Sequence, residues 1–214
     1  MKRFQQRAFL LHQQPYRETS VIAQLFTAEH GLLAAVCKGV RGNSKRSRQQ
    51  RSTLQPFSEL SVQLSGRAEL KTLLGAETVG ASRYLSGRTL YAGLYLNELL
   101  LRVLHPGVEQ QDIFRVYAET QVLLAANTAA DDVLTEHALR DFELRLLSLL
   151  GFALDFCRDG SSGAAVDAGL LYRFDVEQGF VVDWVTDGRD ALTHCLYNQV
   201  DLLIADRMMP GMDG

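Results

Sequence analysis

The period of the hydrophobic residues changes once along this chain, near residue 86, and this change limits the folds open to it. Before residue 86 the apolar residues occur in short runs, and Leu60, Val62 and Leu64 alternate with polar neighbours as in a half-buried strand. The runs predict five strands, at residues 7–12, 19–26, 32–37, 60–64 and 70–79. Because no helical pattern separates these runs, we expect a small barrel or sandwich.

The residues after position 86 predict a helical bundle. Apolar residues recur four positions apart from Tyr91 to Val103, which indicates a helix with a wide buried face. A second helix follows, and a third is expected to be capped by Thr128 or Asp131 and to end at Gly151. The middle third of the chain should therefore pack as a bundle.

These patterns predict an α+β chain of three parts. Residues 1–80 form an N-terminal five-stranded barrel, and five is the strand number of the oligonucleotide-binding (OB) barrel. Residues 81–178 form a helical domain that includes a loop rich in Gly, Ser, Asp and Ala at about 155–169. Residues 179–214 are expected to form a truncated strand–helix–strand tail.

Charge is distributed unevenly along the sequence. Residues 1–88 hold 14 Lys or Arg against 5 Asp or Glu, whereas residues 89–214 hold 8 against 20. Six of the cations and no acid lie at residues 38–51, whose glycines and serines predict a flexible loop. Such clustering indicates a polyanion-binding half, although a solvated basic surface is the alternative. The expected DNA-binding residues are Lys2, Arg3, Arg7, Lys38, Arg41, Lys45, Arg46, Arg48, Arg51, Arg67 and Lys71.

Aromatic side chains of the same part could offer faces on which bases stack. Core packing is the alternative for each of them. The candidates are Phe4, Phe9, Tyr16, Phe26 and Phe57.

Signals for catalysis, metal binding or membrane insertion are weak. Residues 75–82 have the glycine spacing of a phosphate-binding loop, but Ala81 stands where its lysine is needed. The three cysteines and five histidines share no ligand spacing, so we expect no metal, no cofactor and no enzymatic activity. No apolar run is long enough to span a bilayer, and the sparse cysteines fit a reducing cytoplasm.

Several stretches in order and at matching spacing resemble the bacterial recombination mediator family RecO. The resemblance covers about residues 4–180 and is far more specific than a single motif. It is carried by Arg7-Ala8-Phe9-Leu10-Leu11-His12, Tyr16-Arg17-Glu18-Thr19-Ser20, Lys38-Gly39-Val40-Arg41, Leu54-Gln55-Pro56-Phe57, Gly66-Arg67-Ala68-Glu69-Leu70-Lys71-Thr72, Leu90-Tyr91-Ala92-Gly93-Leu94-Tyr95-Leu96-Asn97-Glu98-Leu99 and Ala138-Leu139-Arg140-Asp141-Phe142-Glu143-Leu144-Arg145.

The resemblance implies an OB barrel followed by a helical domain, and a non-enzymatic role in DNA repair and homologous recombination. It implies binding of single- and double-stranded DNA, annealing of complementary strands, and cooperation with RecR in the cytoplasm, associated with the nucleoid. Family members help RecA replace the single-stranded DNA-binding protein, whose acidic C-terminal tail docks on the helical domain. Arg140 lies at the position expected to meet that tail. Some relatives carry a four-cysteine zinc module where this chain keeps only Cys157.

We expect the family pattern to break near Gly179, because the last residues resemble part of a response-regulator receiver domain. Asp206, in Asp206-Arg207-Met208-Met209-Pro210-Gly211, falls at the phosphoacceptor position. The acidic pair that would hold Mg²⁺ is absent before it, and the later hydroxyl and lysine positions fall outside the sequence. Charge on a transferring phosphoryl group would then not be offset, so we expect Asp206 to be inactive.

Two other functions stay open at this point. The receiver-like segment could make the chain a two-component signalling fragment, which would require phosphate uptake at Asp206. Alternatively, the helical part could be a partner-binding scaffold, which would bind an acidic peptide with a hydrophobic end but no DNA.

Overall fold

The structure is a computed structural model and describes residues 3–128, 131–170, 172–175 and 178–182. It is an α+β protein, as the sequence predicts. Five strands close into a barrel in the order β1-β2-β3-β5-β4, which is the OB arrangement. They are β1 (Arg3–Tyr16), β2 (Ser20–Thr27), β3 (Gly31–Cys37), β4 (Glu59–Ser65) and β5 (Lys71–Thr78).

The long first strand joins two sides of the barrel. Its first half pairs antiparallel with β4 and its second half with β2. The register to β2 shifts between Leu10 and His12, so Leu11 forms a bulge. A bulge bends the strand and increases its twist, which lets one strand take part in both edges of a closed barrel.

Alternate side chains of the strands fill the barrel interior. Leu10, Leu25, Leu60, Val62 and Leu64 are almost fully buried there. Burial of this apolar surface is the main driving force for closing the sheet, at roughly 25 cal/mol per Å² removed from water.

A short helix, α1 (Lys45–Thr53), lies between β3 and β4. The prediction of a flexible loop at residues 38–51 is therefore wrong for its second half. The Ser44 side chain caps α1 by accepting a hydrogen bond from the amide of Ser47 at 3.1 Å. Leu54, directly after α1, is buried in the interior cluster and anchors its C-terminal end.

Three longer helices follow the barrel, α2 (Gly87–Val103), α3 (Gln111–Ala126) and α4 (Asp132–Leu149). The Asp131 carboxylate accepts hydrogen bonds from the amides of Val133 and Leu134 at the start of α4, which confirms one of the two predicted caps. Gly151 has φ +89° just after α4, the backbone conformation expected where a helix ends. Within the described residues, no helix is both long and apolar enough to cross a membrane.

The helices α2 and α3 contact the outer face of the barrel through a buried series of hydrogen bonds, called here the buried chain, that joins Leu11, Asn97 and Tyr117. The Tyr117 hydroxyl donates to Asn97 Oδ1, and Asn97 Nδ2 donates to the carbonyl of the bulge residue Leu11 at 2.9 Å. All three residues are buried, among the rings of Phe9 and Phe26 from the barrel. Burial raises the pKa of Tyr117, which keeps its hydroxyl protonated as a donor.

Two glycines allow the barrel and the helices to approach closely. Gly31 has φ +57°, and a Cβ there would lie 2.1 Å from the carbonyl oxygen of Val108. A Cβ on Gly93 of α2 would lie 2.7 Å from the Phe57 ring. Position 31 therefore requires glycine, and a side chain at position 93 would have to displace Phe57 and Leu85.

Residues Met1–Gly151 form one compact unit and Phe152–Gly214 a second. The described part of the second unit contains an antiparallel pair, β6 (Tyr172–Asp175) and β7 (Gly179–Val182). The predicted loop at 155–169 is confirmed as turns without helix or strand. Strand β7 lies at the start of the predicted strand–helix–strand tail, and residues 183–214 of that tail lie outside the described residues.

We expect Tyr117→Phe to lower the free energy of unfolding by about 1–3 kcal/mol, because it leaves Asn97 Oδ1 buried without its donor. Urea denaturation followed by circular dichroism would measure the loss. Tyr95→Phe is the control, since it removes an exposed hydroxyl and should cost no more than about 1 kcal/mol. Equal losses in both variants would contradict the central role of the buried chain.

Candidate nucleic-acid interface

The helix α1 carries a group of exposed cations beside the barrel. Lys45, Arg46 and Arg48 lie on it, and Lys38 precedes it at the end of β3. No acidic residue lies in α1, and none of these four side chains forms an ion pair with a described residue. Their charges are therefore available to an external anion.

Arg51 serves the local structure instead. Its guanidinium donates to the carbonyls of Val40 at 2.7 Å and Gly42 at 2.8 Å, which closes the turn between β3 and α1. The Arg41 amide donates to the Thr19 carbonyl at 2.8 Å, so this turn is held against the turn between β1 and β2. The Arg41 side chain is exposed.

A second group of cations lies at the turn between β4 and β5. Arg67 and Lys71 line a cavity of about 950 Å³, together with Gln24 and His30. Lys71 donates to the Ala68 carbonyl at 2.8 Å and Arg67 is exposed. Strand β5 leads from this cavity towards α1, so the two groups of cations lie along one strand.

The predicted site residues of β1 differ from one another in ion pairing and exposure. The Arg7 guanidinium forms an ion pair with the buried carboxylate of Glu59, and this hydrogen bond raises the pKa of Arg7. Its charge is thus already balanced by a neighbour. Arg3 is exposed at the start of β1, and Lys2 lies outside the described residues.

The aromatic candidates are mostly core residues. Phe9, Phe26 and Phe57 are buried. Phe4 is half-buried and stacks on His30 with ring centroids 5.4 Å apart. Tyr16 is half-buried under the Arg17 guanidinium, 5.2 Å from the ring centroid, and sequence reasoning missed Arg17 although it lies in a turn beside Arg41.

Cations of the helices differ sharply from those of the barrel, because carboxylates neutralise them. Arg88 pairs with Asp132 at 2.8 Å, and Arg102 with Glu98 at 2.6 Å. Further pairs join Arg115 to Asp112, Arg140 to Glu143, and Arg145 to Glu119 and Asp141. Within the described part of the barrel, Arg7 is the cation that forms such a pair.

Arg140 lies exposed on α4, next to an aromatic surface of α2. Its partner Glu143 also accepts a hydrogen bond from the Tyr95 hydroxyl at 2.6 Å, and this bond raises the pKa of Tyr95. Tyr91, one turn before Tyr95, is exposed. The surface therefore combines a cation with aromatic faces. Asp206, the other predicted site residue, lies outside the described residues.

Comparison with known proteins identifies both parts of the chain. The family model Recombination protein O N terminal matches residues 1–82, and Recombination protein O C terminal matches residues 85–202. The chain is 46% identical over 182 residues to DNA repair protein RecO of Serratia proteamaculans, covering 85% of this chain and 72% of that protein. It is 41% identical over 208 residues to DNA repair protein RecO of Klebsiella pneumoniae, covering 97% and 80%.

These matches and the barrel define a DNA repair and recombination protein built on an OB-type fold. The chain belongs to the RecO family. The family match continues to residue 202, beyond Gly179, where we expected the pattern to break. The likeness of the last residues to a receiver domain stays a prediction.

The loop at 155–169 is organised around the carboxylate of Asp159. Asp159 Oδ1 accepts hydrogen bonds from the amides and hydroxyls of Ser161 and Ser162, at 2.6–3.0 Å. Asp159 Oδ2 accepts one from the Val182 amide of β7 at 2.6 Å. These bonds hold the pKa of Asp159 far below its usual range. No group of His, Cys, Asp and Glu that could hold a metal occurs among the described residues.

We expect Asp159→Asn to loosen the second unit, because an amide cannot accept from both the serines and Val182. Hydrogen exchange at Val182 should become faster. Asp167→Asn is the control, since Asp167 caps only the Gly169 amide, at 2.8 Å, among the described residues.

Acid should mimic this substitution in the unmodified chain. The folded pKa of Asp159 is lowered, so its stabilisation is complete above the ordinary value of about 3.9 and is lost as the pH falls below it through the folded value. If hydrogen exchange of the Val182 amide were unchanged in Asp159→Asn, the role of Asp159 would be contradicted.

Proposed function

We propose that the chain is a non-enzymatic recombination mediator that binds single- and double-stranded DNA through the cations of its barrel. The observation that supports this most is a contrast in ion pairing. The cations of the barrel and its helix α1 are mostly without an acidic partner among the described residues, whereas the arginines of α2 to α4 are paired with acids. Each Lys or Arg that meets a phosphate releases condensed counterions, which favours binding without regard to sequence. A polyanion should therefore bind to the barrel and α1, and not to the helices α2 to α4.

Annealing follows from the same physics. Two complementary strands repel each other through their phosphates, and a cationic surface that holds both lowers this repulsion. The cations of α1 and those of the β4–β5 turn form two groups along β5. One DNA strand could lie on each group. We propose that the chain promotes annealing in this way, on DNA of the cytoplasmic nucleoid.

We further propose that the family's partners apply to this chain. It would work with RecR to help RecA load on strands coated by single-stranded DNA-binding protein. The acidic tail of that protein would dock at Arg140, where a guanidinium can hold a carboxylate through two parallel hydrogen bonds. Tyr91 and Tyr95 would contact the hydrophobic end of the tail.

We also propose the division into an OB domain at 1–80 and a helical domain at 81–178.

The cations that the sequence predicts to bind DNA take different roles under this proposal. Lys2, Arg3, Lys38, Arg41, Lys45, Arg46, Arg48, Arg67 and Lys71 would bind phosphates. Arg51 would hold the turn before α1 in place, and Arg7 would stay paired with Glu59.

The variant Lys38→Ala/Lys45→Ala/Arg48→Ala tests DNA binding. We expect fluorescence anisotropy of a labelled single strand to show weaker binding, with a log–log salt slope shallower by about 2 units for three lost phosphate contacts. The matched control Arg88→Ala/Arg102→Ala/Arg115→Ala removes the same charge from the helices and should leave the slope nearly unchanged. Equal effects of the two variants, or no binding by the folded wild-type chain, would contradict the proposal.

The variant Arg140→Ala tests tail binding with an acidic peptide that ends in hydrophobic residues. We expect affinity to fall about fivefold, the scale of an exposed ion pair, by isothermal titration calorimetry. Glu143→Gln should raise affinity, because the peptide no longer competes with Glu143 for the guanidinium. Arg115→Ala is the control, since Arg115 also pairs with an acid three residues away. An unchanged affinity in Arg140→Ala would rule this site out.

A further inference from the structure

A pocket of about 230 Å³ lies between α1 and β5, and the DNA-binding proposal leaves it unused. One wall is polar and comes from α1, with Arg46, Gln49, Gln50 and Thr53 spaced so that they share one face of the helix. The opposite wall is the aliphatic surface of Leu73 and Leu74 on β5. The pocket is thus amphipathic, with a cation at its rim.

The polar wall has unused hydrogen-bonding capacity. The side-chain amides of Gln49 and Gln50 form no hydrogen bond with any described residue, although Gln50 is half-buried. Each amide offers donors and an acceptor in one plane. A ligand that presents donors and acceptors along a flat edge would satisfy them, and glutamine pairs with the edge of a nucleobase in this way.

The aliphatic wall suits the faces of the same ligand. A base that leaves its stack exposes two apolar faces, and burying one of them against Leu73 and Leu74 removes that surface from water. The volume is on the scale of one heterocyclic base. Arg46 lines the pocket, and Lys45 and Arg48 lie exposed on the same helix, so the phosphates on either side of an inserted base could contact these cations.

We propose that the pocket between α1 and β5 receives one unstacked base of a single strand whose phosphates lie on the cations of α1. This inference rests on the proposed DNA binding and adds a contact that duplex DNA makes poorly. A paired base must first break its pairing and stacking, which costs a few kcal/mol in known base-flipping proteins. The pocket therefore favours single strands over duplexes.

The test compares two single strands of equal length, one ordinary and one in which every sugar lacks its base. Their phosphates are the same, so a difference in affinity reports contacts to bases. We expect the wild-type chain to bind the ordinary strand about tenfold more tightly. Base contacts elsewhere on the protein would give the same ratio, so variants must locate the effect.

Gly75→Leu should fill the pocket, because Gly75 lines it and a Cβ there meets nothing within 4 Å. We expect this variant to bind both strands equally. Gln50→Leu keeps the side-chain volume and removes the amide, and it should lower the ratio of the two affinities. This variant keeps the test possible should Gly75→Leu fail to fold. Arg48→Gln is the control and should weaken binding to both strands while leaving their ratio unchanged.

The outcomes separate the two proposals. Equal affinity of the wild-type chain for the two strands, or a ratio unchanged in Gly75→Leu and Gln50→Leu, would overturn the pocket and leave phosphate binding intact. Absence of binding to either strand at low salt would overturn both. A ratio lost in the pocket variants but kept in Arg48→Gln would support the pocket.

Discussion

The hydrogen-bonded chain from Leu11 through Asn97 to Tyr117 fixes how the helices sit on the barrel. A β-bulge turns a backbone carbonyl away from its ladder, and a buried carbonyl without a donor would be costly. Asn97 supplies that donor and Tyr117 orients the amide, so three elements that are distant in sequence share one polar contact. The surrounding rings of Phe9 and Phe26 exclude water, which strengthens the contact. This contact therefore helps to fix the barrel relative to the helices α2 and α3.

The distribution of charge along the sequence corresponds to a difference in ion pairing between the barrel and the helices α2 to α4. The helical part holds most of the acids and uses them to neutralise its own arginines, whereas the barrel leaves its cations exposed. Net charge over the whole chain is close to zero and hides this difference. The molecule therefore combines a cationic barrel surface that attracts polyanions with a helical part in which acids are in excess.

Local signals allowed the strands, the helices and the cap at Asp131 to be predicted, because alternation, period and capping act within a few residues. The helix α1 was missed since its sequence is polar throughout and has no apolar period to detect; it depends on the cap at Ser44 and on the burial of Leu54. The pairing of Arg7 with Glu59 was also hidden. These residues are 52 positions apart, and only the register between β1 and β4 brings them together.

The closure of the barrel also has a consequence for its motions. Strand β3 pairs with β2 along its whole length, but it pairs with β5 only from Ala35 to Cys37. Local opening takes place where few hydrogen bonds must break, so this parallel seam is where the sheet should open at the lowest free energy. The seam runs past α1 and the pocket beside it. Breathing of the barrel would thus change the width of the surface that carries the cations, while the side packed against the helices stays rigid.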